Sequence, residues 1–261
     1  MPLIEADDGC RLYVQVEGRA SGPALMLSNS LGTTLEMWDS QMTALKELFY
    51  VIRYDRRGHG NSDVTPAPYS IERLAKDALA ILDGLDIERT HWCGLSIGGM
   101  VGQWLGGHAP ERFDRIVLAS TSSHFPDQTN WDKRIGVLRQ SGVASIANSV
   151  IASWFTRDFR ERNPDTVKRI RDILVATPAE GYIGASQAIA GMDNREFLPR
   201  IKSPTLVIAG RQDPSTPLAM NEYIRSHIPG ASLMLLDASH LSNIEKPHDF
   251  TEALVGFLTQ R

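Results

Sequence analysis

The chain is short of cysteine, has no long apolar run and carries nearly balanced charge. Of 261 residues only Cys10 and Cys93 are cysteines. One sits near an N-terminal turn and the other at the end of an apolar strand pattern, so no disulfide is expected, and no Cys/His spacing suggests zinc. Reduced thiols point to the cytoplasm. No apolar stretch approaches the ~20 residues a membrane-spanning helix needs. The start, Met1-Pro2-Leu3-Ile4-Glu5, lacks a basic segment followed by an apolar one, so no secretion signal is expected. With 27 Lys+Arg against 31 Asp+Glu the net charge is −4, which does not match a nucleic-acid footprint. Repeats and low-complexity segments are absent. What remains, 42% hydrophobic and 22% charged residues, suffices for one large core with an inserted subdomain.

Short apolar runs alternate with helical patterns, the signature of a mostly parallel sheet with crossover helices. Arg11 to Glu17 alternates as a half-exposed strand should. Ala24 to Ser28, Val51 to Tyr54, His91 to Leu95, Ile116 to Ala119, Thr205 to Ala209 and Leu233 to Leu236 suit central strands. Between them, Ile71, Leu74, Ala75, Ala78, Leu79 and Leu82 recur at helical spacing. Phe250, Leu254, Phe257 and Leu258 do the same after Pro247, a residue suited to a helix's first turn. The rhythm breaks between residues 124 and 199, where the pattern is helical and rich in large side chains such as Phe125, Trp131, Trp154, Phe155 and Tyr182. This predicts a helical cap (124–199) inserted after the sixth sheet strand, over a core of residues 1–123 and 200–261. Such a cap would sit at the carboxyl edge of the strands, where open α/β folds bind ligands.

The segment Thr90-His91-Trp92-Cys93-Gly94-Leu95-Ser96-Ile97-Gly98-Gly99-Met100 carries G-x-S-x-G. A serine on a sharp strand-to-helix turn needs small residues two positions away on either side, and its hydroxyl then stands exposed above the sheet. Three fixed positions in five recur by chance, so context matters. Here the residues before the motif read as a buried strand and Ile97 to His108 as a helix of small residues. A serine of ordinary pKa needs a base, and the base an orienting group. Among seven histidines, His240 follows a strand pattern and precedes the last helix. His59, between Gly58 and Gly60, reads as a structural tie between loops. Asp213 follows the strand Thr205 to Ala209 and a Gly turn; it also suits a helix cap before Ser215-Thr216-Pro217. The rival acids are Asp237, crowded against His240 on one loop, and Asp127. The order Ser96, Asp213, His240 is that of α/β-hydrolases. An oxyanion hole would take its backbone N–H groups from Ile97 and from the loop Ser28-Asn29-Ser30-Leu31-Gly32, where Leu31 is the candidate.

Together, Ser30 to Gly32, Asp55 to Ser62, Gly94 to Gly99, Gly210 to Asp213 and His240 to Pro247 resemble the α/β-hydrolase superfamily over nearly the whole chain. That resemblance implies a mostly parallel eight-stranded sheet with helices on both faces. Within the superfamily, Leu27 to Thr33, Met37-Trp38, Tyr54 to Ser62 and Cys93 to Gly99 resemble the 3-oxoadipate enol-lactonases of aromatic-compound catabolism. Asn29-Ser30 stands where many members carry His-Gly. The resemblance implies attack of Ser96 on a lactone carbonyl, His240 as base, Asp213 fixing its tautomer, and no metal or organic cofactor. The implied partner is a small anionic lactone. Residues 130–172 hold nine Lys/Arg against five Asp/Glu, so a basic cap is expected to steer an anion, with Trp131, Arg134 and Trp154 in the pocket. A general carboxylesterase, a C–C bond hydrolase or a haloperoxidase-like esterase would share these motifs, as would a non-catalytic receptor on the same scaffold.

Overall fold

The structure, a computed structural model, describes residues 3–260. Its eight strands are β1 (Leu3–Glu5), β2 (Arg11–Gly18), β3 (Ala24–Ser28), β4 (Tyr50–Tyr54), β5 (Thr90–Leu95), β6 (Phe113–Ala119), β7 (Thr205–Gly210) and β8 (Ser232–Leu236). They form one sheet in the order β1-β2-β4-β3-β5-β6-β7-β8. The β1–β2 and β2–β4 pairings are antiparallel; the remaining pairings are parallel. Seven of these strands match runs seen in the sequence. β1 has only three residues, too few for alternation to register.

Every residue of β5 and of β7 is buried, so both faces of the sheet are covered, as parallel sheets require. The covering helices follow in chain order: α1 (Asp39–Leu48), α2 (Ile71–Gly84), α3 (Ile97–His108), then α9 (Leu218–His227) and α11 (Pro247–Leu258). α2 packs against α3, and α1 against α11. α2 starts where the Ser70 hydroxyl accepts the Arg73 N–H at 3.0 Å, and it buries Ile71, Leu74, Ala75, Ala78, Ile81 and Leu82. α11 starts at Pro247 and buries Phe250, Leu254, Phe257 and Leu258, the residues picked out by spacing.

Between β6 and β7 lie only helices: α4 (Thr129–Ser141), α5 (Ala147–Trp154), α6 (Arg157–Arg162), α7 (Pro164–Ala176) and α8 (Ala179–Ala190). A short α10 (Ser242–Glu245) precedes α11. The sheet order reverses at β3. The chain passes from β3 to β4 on one side, then returns to β5 on the other. The loops leaving β3 and β5 therefore diverge and open a crevice between them, the place where α/β sheets take ligands. Ser28 pairs with Gly94 across β3 and β5. Two residues further along each chain lie Ser30 and Ser96, on either side of that crevice.

Candidate active site

Ser96 caps α3 with φ 59° and ψ −120°, a left-handed conformation that a side chain bearing a Cβ adopts only at a cost of about 1–3 kcal/mol. The surroundings hold it there. Its N–H donates to Ala119 O at 2.8 Å; its carbonyl accepts from Gly99 N–H at 2.8 Å and from the Thr121 hydroxyl at 2.7 Å. The two motif glycines answer to close packing. A Cβ on Gly94 would run into the Gly98 carbonyl, and one on Gly98 into the Ser28 carbonyl. The Ile97 N–H, first of α3, makes no hydrogen bond among the described residues and lies at the positive end of the helix.

His240 Nδ1 lies 2.8 Å from Asp213 Oδ2, and both side chains are buried. Asp213 follows β7 and His240 follows β8. Asp213 Oδ1 accepts the Ser215 and Thr216 N–H groups at 2.8 and 3.1 Å, while Oδ2 also takes the Thr216 hydroxyl at 2.7 Å. The carboxylate thus caps its own turn and holds the imidazole. Burial works to raise its pKa, but His240 and the Thr216 donors outweigh burial and hold it below the ordinary carboxylate value. The rival acids lie elsewhere: Asp237 accepts from Gln212, and Asp127 caps the exposed Thr129. A chain of buried hydrogen bonds joins the Asp213 turn to Ser96. Asn221 Nδ2 donates to Thr216 O at 3.0 Å, and Thr121 N–H donates to Asn221 Oδ1 at 3.2 Å. Thr121 in turn holds the Ser96 carbonyl.

The turn after β4 fastens the loop after β3. Asp55 accepts from Leu35 N–H and Asn61 N–H, both at 2.9 Å. His59 Nε2 accepts the Gly32 N–H at 3.0 Å, so its proton sits on Nδ1, facing the Arg57 carbonyl at 3.3 Å. Burial, aided by the positive Arg56, pushes the His59 pKa down to about 3, so the ring is neutral. This is the loop tie expected from its glycine neighbours. Leu31 N–H has no partner among the described residues.

Ser30, Leu31, Ser96 and His240 line a narrow cavity of about 50 Å³, overlain by residues of the β6–β7 insertion. α4 contributes Trp131 and Arg134, α5 contributes Val150, Ser153 and Trp154, and α8 contributes Tyr182 and Ile189. The Ser96 hydroxyl makes no hydrogen bond to His240 among the described residues. The Arg134 guanidinium stacks 5.2 Å from the Trp131 ring centre and has no carboxylate partner among the described residues. It also sits close enough to the Tyr182 hydroxyl to oppose the rise that burial imposes on that group.

The expectation of a basic cap narrows here to one residue. Of the nine cations in 130–172, only Arg134 lines the cavity. Arg157, Arg162 and Lys168 instead pair with Glu161, Asp158 and Asp172 on exposed helix faces. Both cysteines are free and buried. Among the described residues no group of three His, Cys, Asp or Glu side chains is placed to hold a metal, and no helix is long and apolar enough to cross a membrane.

A family model described as the alpha/beta hydrolase fold matches residues 23–247. The chain belongs to the α/β-hydrolase family. It is 42% identical over 237 residues to 3-oxoadipate enol-lactonase 2 of Acinetobacter baylyi, covering 91% of this chain and 89% of that one. The solved enol-lactonase of Burkholderia xenovorans superposes with a TM-score of 0.97 at 40% identity, covering 99% of this chain and 100% of that one. A hydrolase of Pseudomonas aeruginosa superposes with a TM-score of 0.96 at 45% identity, covering 99% and 98%.

Several residues that shape this hydrolase site were invisible in the sequence. Thr121 and Asn221 lie 100 positions apart yet bond directly. Glu245 accepts the Ser239 N–H at 3.0 Å and the Thr156 N–H at 3.2 Å and also takes the Thr156 hydroxyl, while Leu241 N–H donates to Trp154 O at 3.0 Å. The loop bearing His240 is thereby stitched to the end of α5 and the start of α6. The one available signal was the Glu245-Lys246-Pro247 stretch, which reads only as a helix start.

Proposed function

We propose that this hydrolase opens 3-oxoadipate enol-lactone to 3-oxoadipate through a Ser96 acyl-enzyme. One observation carries the reading: one cavity is lined by Ser96, by His240 and by Arg134, which has no carboxylate partner among the described residues. A small lactone bearing a carboxylate suits that lining, its ring carbonyl at the serine and its charge at the guanidinium. The likeness to enol-lactonases in sequence and structure supports the same substrate.

In this reading the substrate draws Ser96 and His240 together, as catalytic hydrogen bonds often tighten only in the complex. His240 takes the serine proton while Asp213 fixes its tautomer. The oxyanion sits against the N–H groups of Ile97 and Leu31, where losing one donor typically costs about 3 kcal/mol. Ring opening expels an enolate, which takes a proton and becomes the ketone. His240 then activates water to release 3-oxoadipate. The insertion acts as a cap over residues 1–123 and 200–261, Trp131 and Trp154 form apolar walls, and the enzyme works in the cytoplasm without a cofactor.

Turnover of the enol-lactone against p-nitrophenyl acetate tests the substrate. A higher kcat/KM for the lactone supports the reading, and a preference for the acetate makes the chain a general esterase. Labelling with a fluorophosphonate separates an enzyme from a receptor: an adduct on Ser96 marks an activated nucleophile, and none marks a binding protein.

A further inference from the structure

The loop after β3 is held through backbone groups on both sides of Leu31. Asn29 O accepts from Arg56 Nη2 at 2.6 Å. Ser30 O accepts from Arg56 Nη1 at 3.3 Å and from the Thr33 hydroxyl at 2.9 Å. Ser30 N–H faces Met37 Sδ at 3.2 Å, and Gly32 N–H is taken by His59. Between those two held donors, Leu31 N–H has no partner among the described residues, and Leu31 lines the cavity.

Arg56 is itself unusual. It is 2% exposed, has no carboxylate within ion-pair distance among the described residues, and its Nε has no partner. A buried cation without a counterion is costly. Apart from its surroundings in the core, its hydrogen bonds go to two successive carbonyls of this one loop.

We propose that Arg56 is the positioning residue of the oxyanion hole: by gripping the Asn29 and Ser30 carbonyls from beneath, it turns the Leu31 N–H into the cavity. The lever is the peptide plane. In a trans peptide the Ser30 C=O and the Leu31 N–H lie in one plane and point in opposite directions. A donor that fixes the carbonyl on the protein side fixes the N–H on the cavity side. The guanidinium suits this task because its two Nη atoms reach neighbouring carbonyls in a rigid fork, which one ammonium cannot do. His59 completes the clamp by holding the next N–H, so the donor before Leu31 and the donor after it are both occupied. The proposal rests on the reading that Leu31 N–H meets the oxyanion.

The test uses the full chain with Arg56→Lys and Arg56→Met. Phenylboronic acid, which forms a tetrahedral adduct with a serine, probes the hole. Adipate, a dicarboxylate without a tetrahedral centre, probes the rest of the cavity. In Arg56→Lys, boronate affinity and kcat are expected to fall about 10- to 100-fold together, while adipate affinity, KM and melting temperature stay near wild type. Arg56→Met should lose more in kcat and boronate affinity. Equal losses of boronate and adipate affinity, unchanged kcat in Arg56→Lys, or failure of both variants to fold would make Arg56 a core-building residue and overturn the proposal. A wild-type protein that does not bind the boronate at all instead overturns the oxyanion-hole reading on which it rests.

Discussion

Asp213 Oδ2 receives two donors at once, His240 Nδ1 at 2.8 Å and the Thr216 hydroxyl at 2.7 Å. The shared oxygen ties the imidazole's orientation to a residue that itself lines the cavity. Asp213→Asn should therefore lower kcat by roughly 10⁴-fold with little loss of fold, because the amide favours the wrong imidazole tautomer. Thr216→Val removes one hydrogen bond to the same carboxylate and should cost about tenfold in kcat, the equivalent of ~1.4 kcal/mol. Steady-state kinetics on both variants checks this. Wild-type kcat in Asp213→Asn would remove the acid from the mechanism.

Arg134 is the one cavity cation without a carboxylate partner among the described residues. Replacing it with methionine keeps the contact with Trp131 and removes the charge. KM for the anionic lactone should rise about 10- to 100-fold, the worth of a charge-assisted hydrogen bond, and KM for p-nitrophenyl acetate should stay constant. Equal changes for the two substrates would place the carboxylate elsewhere.

His59 gives stability a pH dependence of fixed sign. Its pKa in the fold is about 3, whereas an unfolded chain binds the proton near 6.5. The unfolded state therefore holds more protons between those values, and stability falls as pH drops through that window, by up to about 1.4 kcal/mol per pH unit. His59→Gln keeps an acceptor for Gly32 N–H and removes the titration. Its melting temperature should fall less steeply than that of wild type between pH 6.5 and 4. Parallel curves would mean that His59 is not held neutral.

Gly98 lies against the Ser28 carbonyl, where a Cβ has no room. Gly98→Ala must push β3 away from the turn carrying Ser96. Overpacking of this kind costs about 1–3 kcal/mol or more, so a melting temperature lower by roughly 5 °C is expected. Fluorophosphonate labelling of Ser96 should slow in parallel. A stable, fully reactive variant would show that the close approach is not what the motif requires.

What was readable in the chain was local. The turn around Ser96 announces itself because three small residues and a strand-to-helix change fall within a dozen positions. α11 does so because Phe250, Leu254, Phe257 and Leu258 repeat at one spacing. β1 escaped because three residues do not make a pattern. The link from Thr121 through Asn221 to Thr216 escaped for a different reason: its members carry no local signal and meet only once β6, β7 and α9 are packed. The charge of the insertion was readable as a sum but not as a direction. Composition counts Arg157 and Lys168 with Arg134, and only the helix faces separate the solvated pairs from the one cation at the cavity.

The central claim is that Ser96 is the nucleophile that opens the enol-lactone. Its most direct test is kcat/KM for that lactone in wild type and in Ser96→Ala, with adipate affinity as the control for an intact cavity. The account predicts a loss of about 10⁶-fold in Ser96→Ala, as in other enzymes stripped of a triad serine, with adipate binding unchanged. Turnover of the lactone by Ser96→Ala at a rate near wild type would contradict it.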